Sequence, residues 1–265
     1  MNDIQLLELI QLQDICESYD NLNLKLNWDL LKTREEDEQF DFLHYEDDVL
    51  VGFLGVYKIG LEYEMCGMVH PQYRRKGIFT ALWKQALATI DESEPILLNA
   101  PAQSKTAKDW LNTIPCSYAF SEHQMHWEKQ LLLDNSLVQL RAGNVTDMKA
   151  MMELNVIGFG YEFDDEEEYR GEVEDGTVYI IEVEGKTVGK IHIRCEQDQS
   201  WIYGFVIYPQ YQGNGYGRSA LTQLVQLEEN NDVYIEVATE NENALSLYEK
   251  CGFVSYQTQD YYDYQ

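Results

Sequence analysis

The chain has 265 residues, 45% hydrophobic and 12% aromatic. That excludes a disordered chain and suits one large domain or two ordinary ones, each with its own core. A formal charge of −28 repels phosphate backbones, so nucleic acid is excluded as a partner while a cationic amine is tolerated.

In chain order, the first half shows three segments of interest: L-V-G-F-L-G-V-Y-K (50–58), V-H-P-Q-Y-R-R-K-G (69–77) and S-K-T-A-K-D-W-L (104–111). His123 and His126 flank Gln124-Met125 in a late strand, and with no further ligand pattern they read as structural. L-L-L-D-N-S closes this half, L-V-Q-L-R-A opens a strand-like run, and the join falls near 131–137. A helical region follows from Val145 to Asn155, with Asn144 or Thr146 as its cap. The acidic run E-F-D-D-E-E-E (162–168) comes next. V-Y-I-I-E-V and T-V-G-K-I-H-I-R form a strand pair around the turn E-G-K, and W-I-Y-G-F-V-I-Y (201–208) is a third strand. A helix over Arg218–Glu228, a strand over 233–238, a helix over Glu242–Lys250 and a last strand after Gly252-Phe253 complete the chain.

The two halves repeat one another. Pro71 and Gly77 stand 138 residues before Pro209 and Gly215, and segments 50–58 and 104–111 recur at a spacing of 137 as 187–195 and 241–248. Three segments in the same order indicate two domains of similar length, 1–132 and 133–265. Antiparallel strands followed by a strand–helix–strand crossover indicate a mixed α/β sheet. Five widely spaced cysteines, Cys16, Cys66, Cys116, Cys195 and Cys251, without a C-x-x-C pair, argue against a disulfide framework or a zinc site. The opening residues carry no signal-peptide pattern, and no stretch approaches the roughly 18 apolar residues of a membrane span. The expectation is a cytoplasmic protein without metal or membrane partner.

The turn Q-G-N-G-Y-G (212–217) leaves a strand and opens a helix. Glycines let the backbone approach an anion, and the helix N-terminus directs free N–H groups at it. A pyrophosphate is the natural guest; a tight strand-to-helix connection is the other reading. No G-K-[ST] follows, so it is not a P-loop.

Val206 to Leu221 resembles motif A of the GNAT acetyltransferases, [QR]-x-x-G-x-[GA], matched by Gln212, Gly215 and Gly217. N-E-N-A-L-S-L-Y-E-K-C-G-F (241–253) is similar to motif B of that family, matched by Asn243, Ala244, Leu247, Tyr248, Gly252 and Phe253. The resemblance implies tandem GNAT-like domains, each a largely antiparallel splayed sheet flanked by helices, with acetyl-CoA as co-substrate. It implies that Gln212, Gly213, Asn214, Gly215, Tyr216, Gly217, Arg218, Ser219 and Asn243 hold the cofactor, and that Phe205, Val206 and Ile207 pair with its pantetheine arm. Tyr248 is implied as the acid that protonates the departing thiolate, with packing beside Leu247 as its other reading. Glu236, twelve residues earlier in the strand I-E-V, is implied as the base by likeness to the ribosomal-protein alanine N-acetyltransferases.

The first half keeps Arg74 and Gly77 of the motif A pattern, but Phe79 stands where the last glycine or alanine belongs. Asn99 stands opposite Glu236, and Leu111 opposite Tyr248. Neither can move a proton, so this half is expected to be degenerate and non-catalytic. Arg74, Arg75 and Lys76 leave CoA binding there open. The acidic run at 162–168 would flank an acceptor pocket and draw a cationic amine, or serve as a solvated loop. The expected activity is acetyl transfer from acetyl-CoA to a primary amine of a small molecule or peptide, in a monomeric pseudo-dimer or a homodimer. A non-catalytic CoA-binding or interaction module, and transfer of another acyl group or to a hydroxyl, are the alternatives.

Overall fold

The computed structural model describes residues 1–34, 39–59, 62–90, 94–130, 136–160, 166–196 and 198–265, and the side chains of these except 166–168 and 196. The chain forms two compact units, Met1–Glu122 with Gln257–Gln265, and His123–Tyr256.

The first unit begins with helix α1 (Asp3–Asp20), started by a capping box between Asn2 and Gln5. Leu9, Leu12 and Cys16 recur at helical spacing and bury one face of it. After α2 (Trp28–Thr33) come strands β1 (Asp41–Glu46), β2 (Val49–Ile59) and β3 (Glu62–Val69), helix α3 (Ile78–Leu87), β4 (Ile96–Pro101), α4 (Lys105–Leu111) and β5 (Cys116–Trp127). β1, β2 and β3 pair antiparallel, and β3 pairs parallel with β4. One face of β2 packs Phe53 and Tyr57 against α1, and the other packs Val51, Leu54 and Val56 against Ile78, Leu82 and Trp83 of α3. A strand covered on both faces reads as the unbroken apolar run seen at 50–57.

The second unit repeats the plan with β6 (Gln139–Ala142), α5 (Met148–Phe159), α6 (Glu166–Glu174), β7 (Val178–Val183), β8 (Lys186–Glu196), β9 (Gln199–Ile207), α7 (Tyr216–Leu227), β10 (Asp232–Ala238), α8 (Glu242–Lys250) and β11 (Phe253–Tyr264). Asn144 is the cap, accepting Thr146 N–H at 2.9 Å. It caps a 3-10 turn, Val145–Asp147, that leads into α5. β6, β7, β8 and β9 pair antiparallel, and β9 pairs parallel with β10. Ala220, Leu221, Leu224 and Val225 of α7 pack on Ile191, Ile193, Ile202, Val233 and Ile235. Met151, Tyr169, Val178 and Ile180 form a smaller core on the α5–α6 side.

The units do not coincide with the sequence halves 1–132 and 133–265. Residues 123–130 fall in the second unit and 257–265 in the first. The end of β11 pairs antiparallel with β4, from Gln259↔Pro101 to Asp263↔Leu97. Strand pairing of that kind satisfies the backbone of β4, and a repeat search does not register it. Residues 131–135 of the expected join lie outside the described residues. Among the described residues no helix is long and apolar enough to cross a membrane.

Candidate functional site

In the second unit the parallel register of β9 and β10 runs from Gln199↔Asp232 to Ile202↔Ile235 and stops there. β9 continues to Ile207 and β10 to Ala238, so the two strands part beyond that point. Among the described residues Phe205 to Ile207 have no strand partner on the β10 side. β9 also bulges: Lys190 pairs with Val206 but His192 with Tyr203, so Gly204 and Phe205 stand opposite the single residue Ile191. Gly204 supplies the bulge with φ +50°.

β9 runs through a 3-10 turn (Pro209–Tyr211) into the glycine turn. Gly213 has φ +77° and Gly215 φ +80°, conformations that glycine adopts without strain. No atom lies within 4 Å of a Cβ placed on Gly213. The first amide to find a helical acceptor is Ser219, which donates to Gly215 O at 3.0 Å. The amides from Gly213 to Arg218 have no backbone partner among the described residues. Unbonded amides, an open approach and the N-terminus of a twelve-residue helix form an anion cradle. Gln212 closes the strand end by donating from Nε2 to Ile207 O at 2.9 Å, and Asn214 Nδ2 donates to Tyr211 O at 3.0 Å.

The expected residues differ in how they sit. Gln212, Gly213, Asn214, Gly215 and Arg218 are exposed, and Tyr216 and Gly217 are half-buried at the helix start. Ser219 is buried, and its hydroxyl accepts Leu137 N–H at 3.2 Å, which turns it away from the cradle. Asn243 is exposed in the first turn of α8, whose cap is Asn241, accepting Ala244 N–H at 3.1 Å. Phe205 and Ile207 lean on the α7 core, whereas buried Val206 meets Gly158 of α5.

Tyr248 is 6% exposed, between the rings of Phe205 at 6.4 Å and Phe253 at 6.2 Å. Its hydroxyl has no hydrogen-bond partner among the described residues, and burial pushes its pKa far above the usual phenol value. The ring is held by packing, and the hydroxyl is left without a committed hydrogen bond among the described residues. Glu236 is half-buried on β10, just past the last paired residue, and accepts a hydrogen bond from Gln124 Nε2 at 2.9 Å. Sequence reasoning passed over Gln124, which carried no motif. It also passed over Lys190 and His192 of β8, which lie inside a segment read only as a strand. The acidic side chains at 162–168 lie outside the described side chains.

The first unit keeps the turn without the bulge. Arg74 (φ −65°, ψ 157°) and Gly77 (φ 83°, ψ 3°) match Gln212 (φ −67°, ψ 160°) and Gly215 (φ 80°, ψ 2°). Arg75 adopts φ +65° where the second unit has Gly213. The β2–β3 register, however, runs unbroken from Gly52↔Val69 to Ile59↔Glu62. Arg74 is committed to Asp20 by two hydrogen bonds, at 2.9 and 2.6 Å, and to Val69 O at 2.9 Å. Phe79 packs edge-on against Trp110, ring centroids 4.6 Å apart, and both line a cavity of about 320 Å³ between β3 and β4. Asn99 also lines it, with its buried Nδ2 lacking a hydrogen-bond partner.

The description of one family, acetyltransferase (GNAT), matches residues 5–104 and 148–253. N-alpha-acetyltransferase RimI of Mycobacterium tuberculosis is 47% identical over 52 residues, 20% of this chain and 33% of that protein. The chain thus aligns with about a third of that relative's length. Spermidine N(1)-acetyltransferase of Vibrio cholerae is 28% identical over 145 residues, covering 45% of this chain and 80% of that one. A GCN5-related N-acetyltransferase from Sphaerobacter thermophilus shares the fold with TM-score 0.79 at 15% identity, over 97% of this chain and 91% of its own. A tandem GNAT protein from the clavulanic acid biosynthesis pathway does so with TM-score 0.68 at 14% identity, over 99% and 95%. Family matches in both halves, and a tandem structure whose fold follows the whole chain, lead to one conclusion: this chain belongs to the acetyltransferase (GNAT) family.

Proposed function

We propose that the second unit is an acetyl-CoA-dependent N-acetyltransferase acting on a primary amine, and that the first unit is non-catalytic. The observation that carries this reading is the combination, in one unit, of the unbonded turn amides with buried Tyr248, whose hydroxyl has no hydrogen-bond partner among the described residues. Acetyl-CoA supplies the acyl group as an activated thioester. The amides of Gly213 to Arg218 hold its pyrophosphate, with Gln212 and Asn214 fixing the turn. The unpaired edge of Phe205, Val206 and Ile207 takes the amides of the pantetheine arm, and Asn243 borders the same end of α8.

Transfer needs a neutral amine, a stabilised oxyanion and a protonated leaving thiolate. Glu236, oriented by Gln124, accepts the proton the amine gives up. An amide N–H of β9 at the bulge faces the developing oxyanion. Tyr248 donates its proton to the sulfur as the C–S bond breaks; burial, which raises its pKa, keeps the phenol neutral until the thiolate forms. The first unit carries Asn99 and Leu111 at the two proton-handling positions, has no bulge between β2 and β3, and spends Arg74 on Asp20.

Calorimetric titration with acetyl-CoA tests the reading. A single site, weakened about tenfold in Gly215→Val and unchanged in Gly77→Val, is the expected result. No binding at millimolar ligand overturns it. Binding without turnover across a broad amine panel would favour a CoA-binding module instead.

A further inference from the structure

The repeat supplies an internal control for the α5–α6 face of the second sheet. At the spacing of 137, Lys190 stands where the first unit has Phe53, and His192 where it has Gly55. Phe53 is fully buried among Leu9, Leu12 and Tyr57, which is the ordinary content of such a position. Lys190 is buried to the same degree, at 1% exposure, yet ends in an amine, whose pKa burial lowers and Glu172 partly restores.

That amine lies on the bulge. Lys190 pairs with Val206, and a Cβ placed on Gly204 would fall 3.3 Å from Nζ. Among the described residues Nζ makes no hydrogen bond and has no carboxylate within ion-pair distance; Glu172 acts on it only at longer range. Glu172 Oε1 faces His192 Nδ1 at 3.4 Å, and His192 Nε2 is buried without a hydrogen-bond partner. Burial and the nearby cations pull His192 down to about 4, so the imidazole is neutral at pH 7 and adds no charge. A buried cation without a close partner is costly, and an apolar residue does the packing equally well in the other unit. Lys190 therefore marks a ligand group, and it lies at the bulge, beside the position proposed for the reacting carbonyl.

We infer that Lys190 anchors a carboxylate on the acceptor, so that the second unit acylates an amine that bears its own carboxylate rather than a polyamine. A single ammonium beside a neutral imidazole matches a monoanion better than a phosphate dianion. The net charge of −28 had pointed to a cationic acceptor, but surface charge is screened within about a Debye length and does not set the preference of a buried pocket. This inference rests on the amine-transfer reading of the second unit.

The test uses matched pairs, each an amino acid and the amine left by its decarboxylation: tyrosine with tyramine, lysine with cadaverine, alanine with ethylamine. Acetyl transfer and calorimetric binding to the CoA-loaded protein are both measured. At least one amino acid should exceed its amine tenfold or more, and Lys190→Met should bring that ratio near one while the acetyl-CoA Kd stays within twofold. Lys190→Gln, checked for the same melting temperature, repeats the measurement should the methionine variant misfold. Equal handling of amino acid and amine, discrimination that survives both substitutions, or no binding of any amino acid at millimolar concentration each overturn the inference. Lys190-dependent binding of an amino acid without acetylation would uphold the carboxylate site and count against amine transfer itself.

Discussion

The two turns of the molecule, 71–78 and 209–216, have the same backbone and different surroundings. Their paired φ and ψ values agree to within about ten degrees where both are defined, although the first turn carries Arg75 in a conformation the second gives to Gly213. What separates the units is the strand before each turn. β9 carries one extra residue as a bulge and β3 does not. The proton-handling positions follow the same division: Glu236 and Tyr248 against Asn99 and Leu111. The repeated turn thus serves as a scaffold in both units, and in the proposed mechanism the bulge and its side chains carry the chemistry.

The largest expected effect tests that division directly. Tyr248→Phe should lower turnover about 10²–10⁴-fold, the range for a positioned acid. Acetyl-CoA affinity should hold and the melting temperature should not fall, because the hydroxyl has no partner to lose. Leu111→Ala, its counterpart, should leave turnover unchanged and cost stability. Glu236→Gln should reduce turnover about 10²-fold through loss of the base, measured under saturating acetyl-CoA; full activity in this variant would remove Glu236 from the mechanism.

A third expectation concerns pH. The folded-state pKa of His192 is depressed to about 4, below its ordinary value of about 6.5. Its contribution to stability is present above pH 6.5 and lost as pH falls through 4. Thermal unfolding at pH 7.5 and 4.5 should show His192→Asn flattening that loss by roughly 2 kcal/mol. Gly215→Val should weaken acetyl-CoA binding about tenfold, since a branched residue at φ +80° costs roughly 1–2 kcal/mol. Gln124→Leu should give the smallest effect, a few-fold loss in turnover with a shifted acid limb of the pH–rate profile. An unshifted limb would mean that Gln124 does not position Glu236.

Much of this was legible in the chain. The repeat, the strand–turn–helix order and the glycine positions are local properties, and β7 to α8 fall within two residues of their expected bounds. The bulge was legible only in hindsight. The repeat spacing is 137 up to the start of β9 and 138 at Pro209, and that one-residue step is Gly204-Phe205 opposite Ile191. A change of one in a spacing does not say where the extra residue sits; strand pairing does.

The amino-acid sequence by itself determined the family resemblance, the two-fold plan and the glycine turn of the second unit, because these follow from repeated motifs, short-range periodicity and glycine's freedom at positive φ. Tertiary structure alone decided the rest. It returned the last residues of β11 to the first unit, committed Arg74 to Asp20, joined Gln124 to Glu236 and buried Lys190 on the bulge. Each of these depends on residues 50 or more positions apart, or on strand register, and no local pattern encodes which of many polar side chains will meet when a sheet closes.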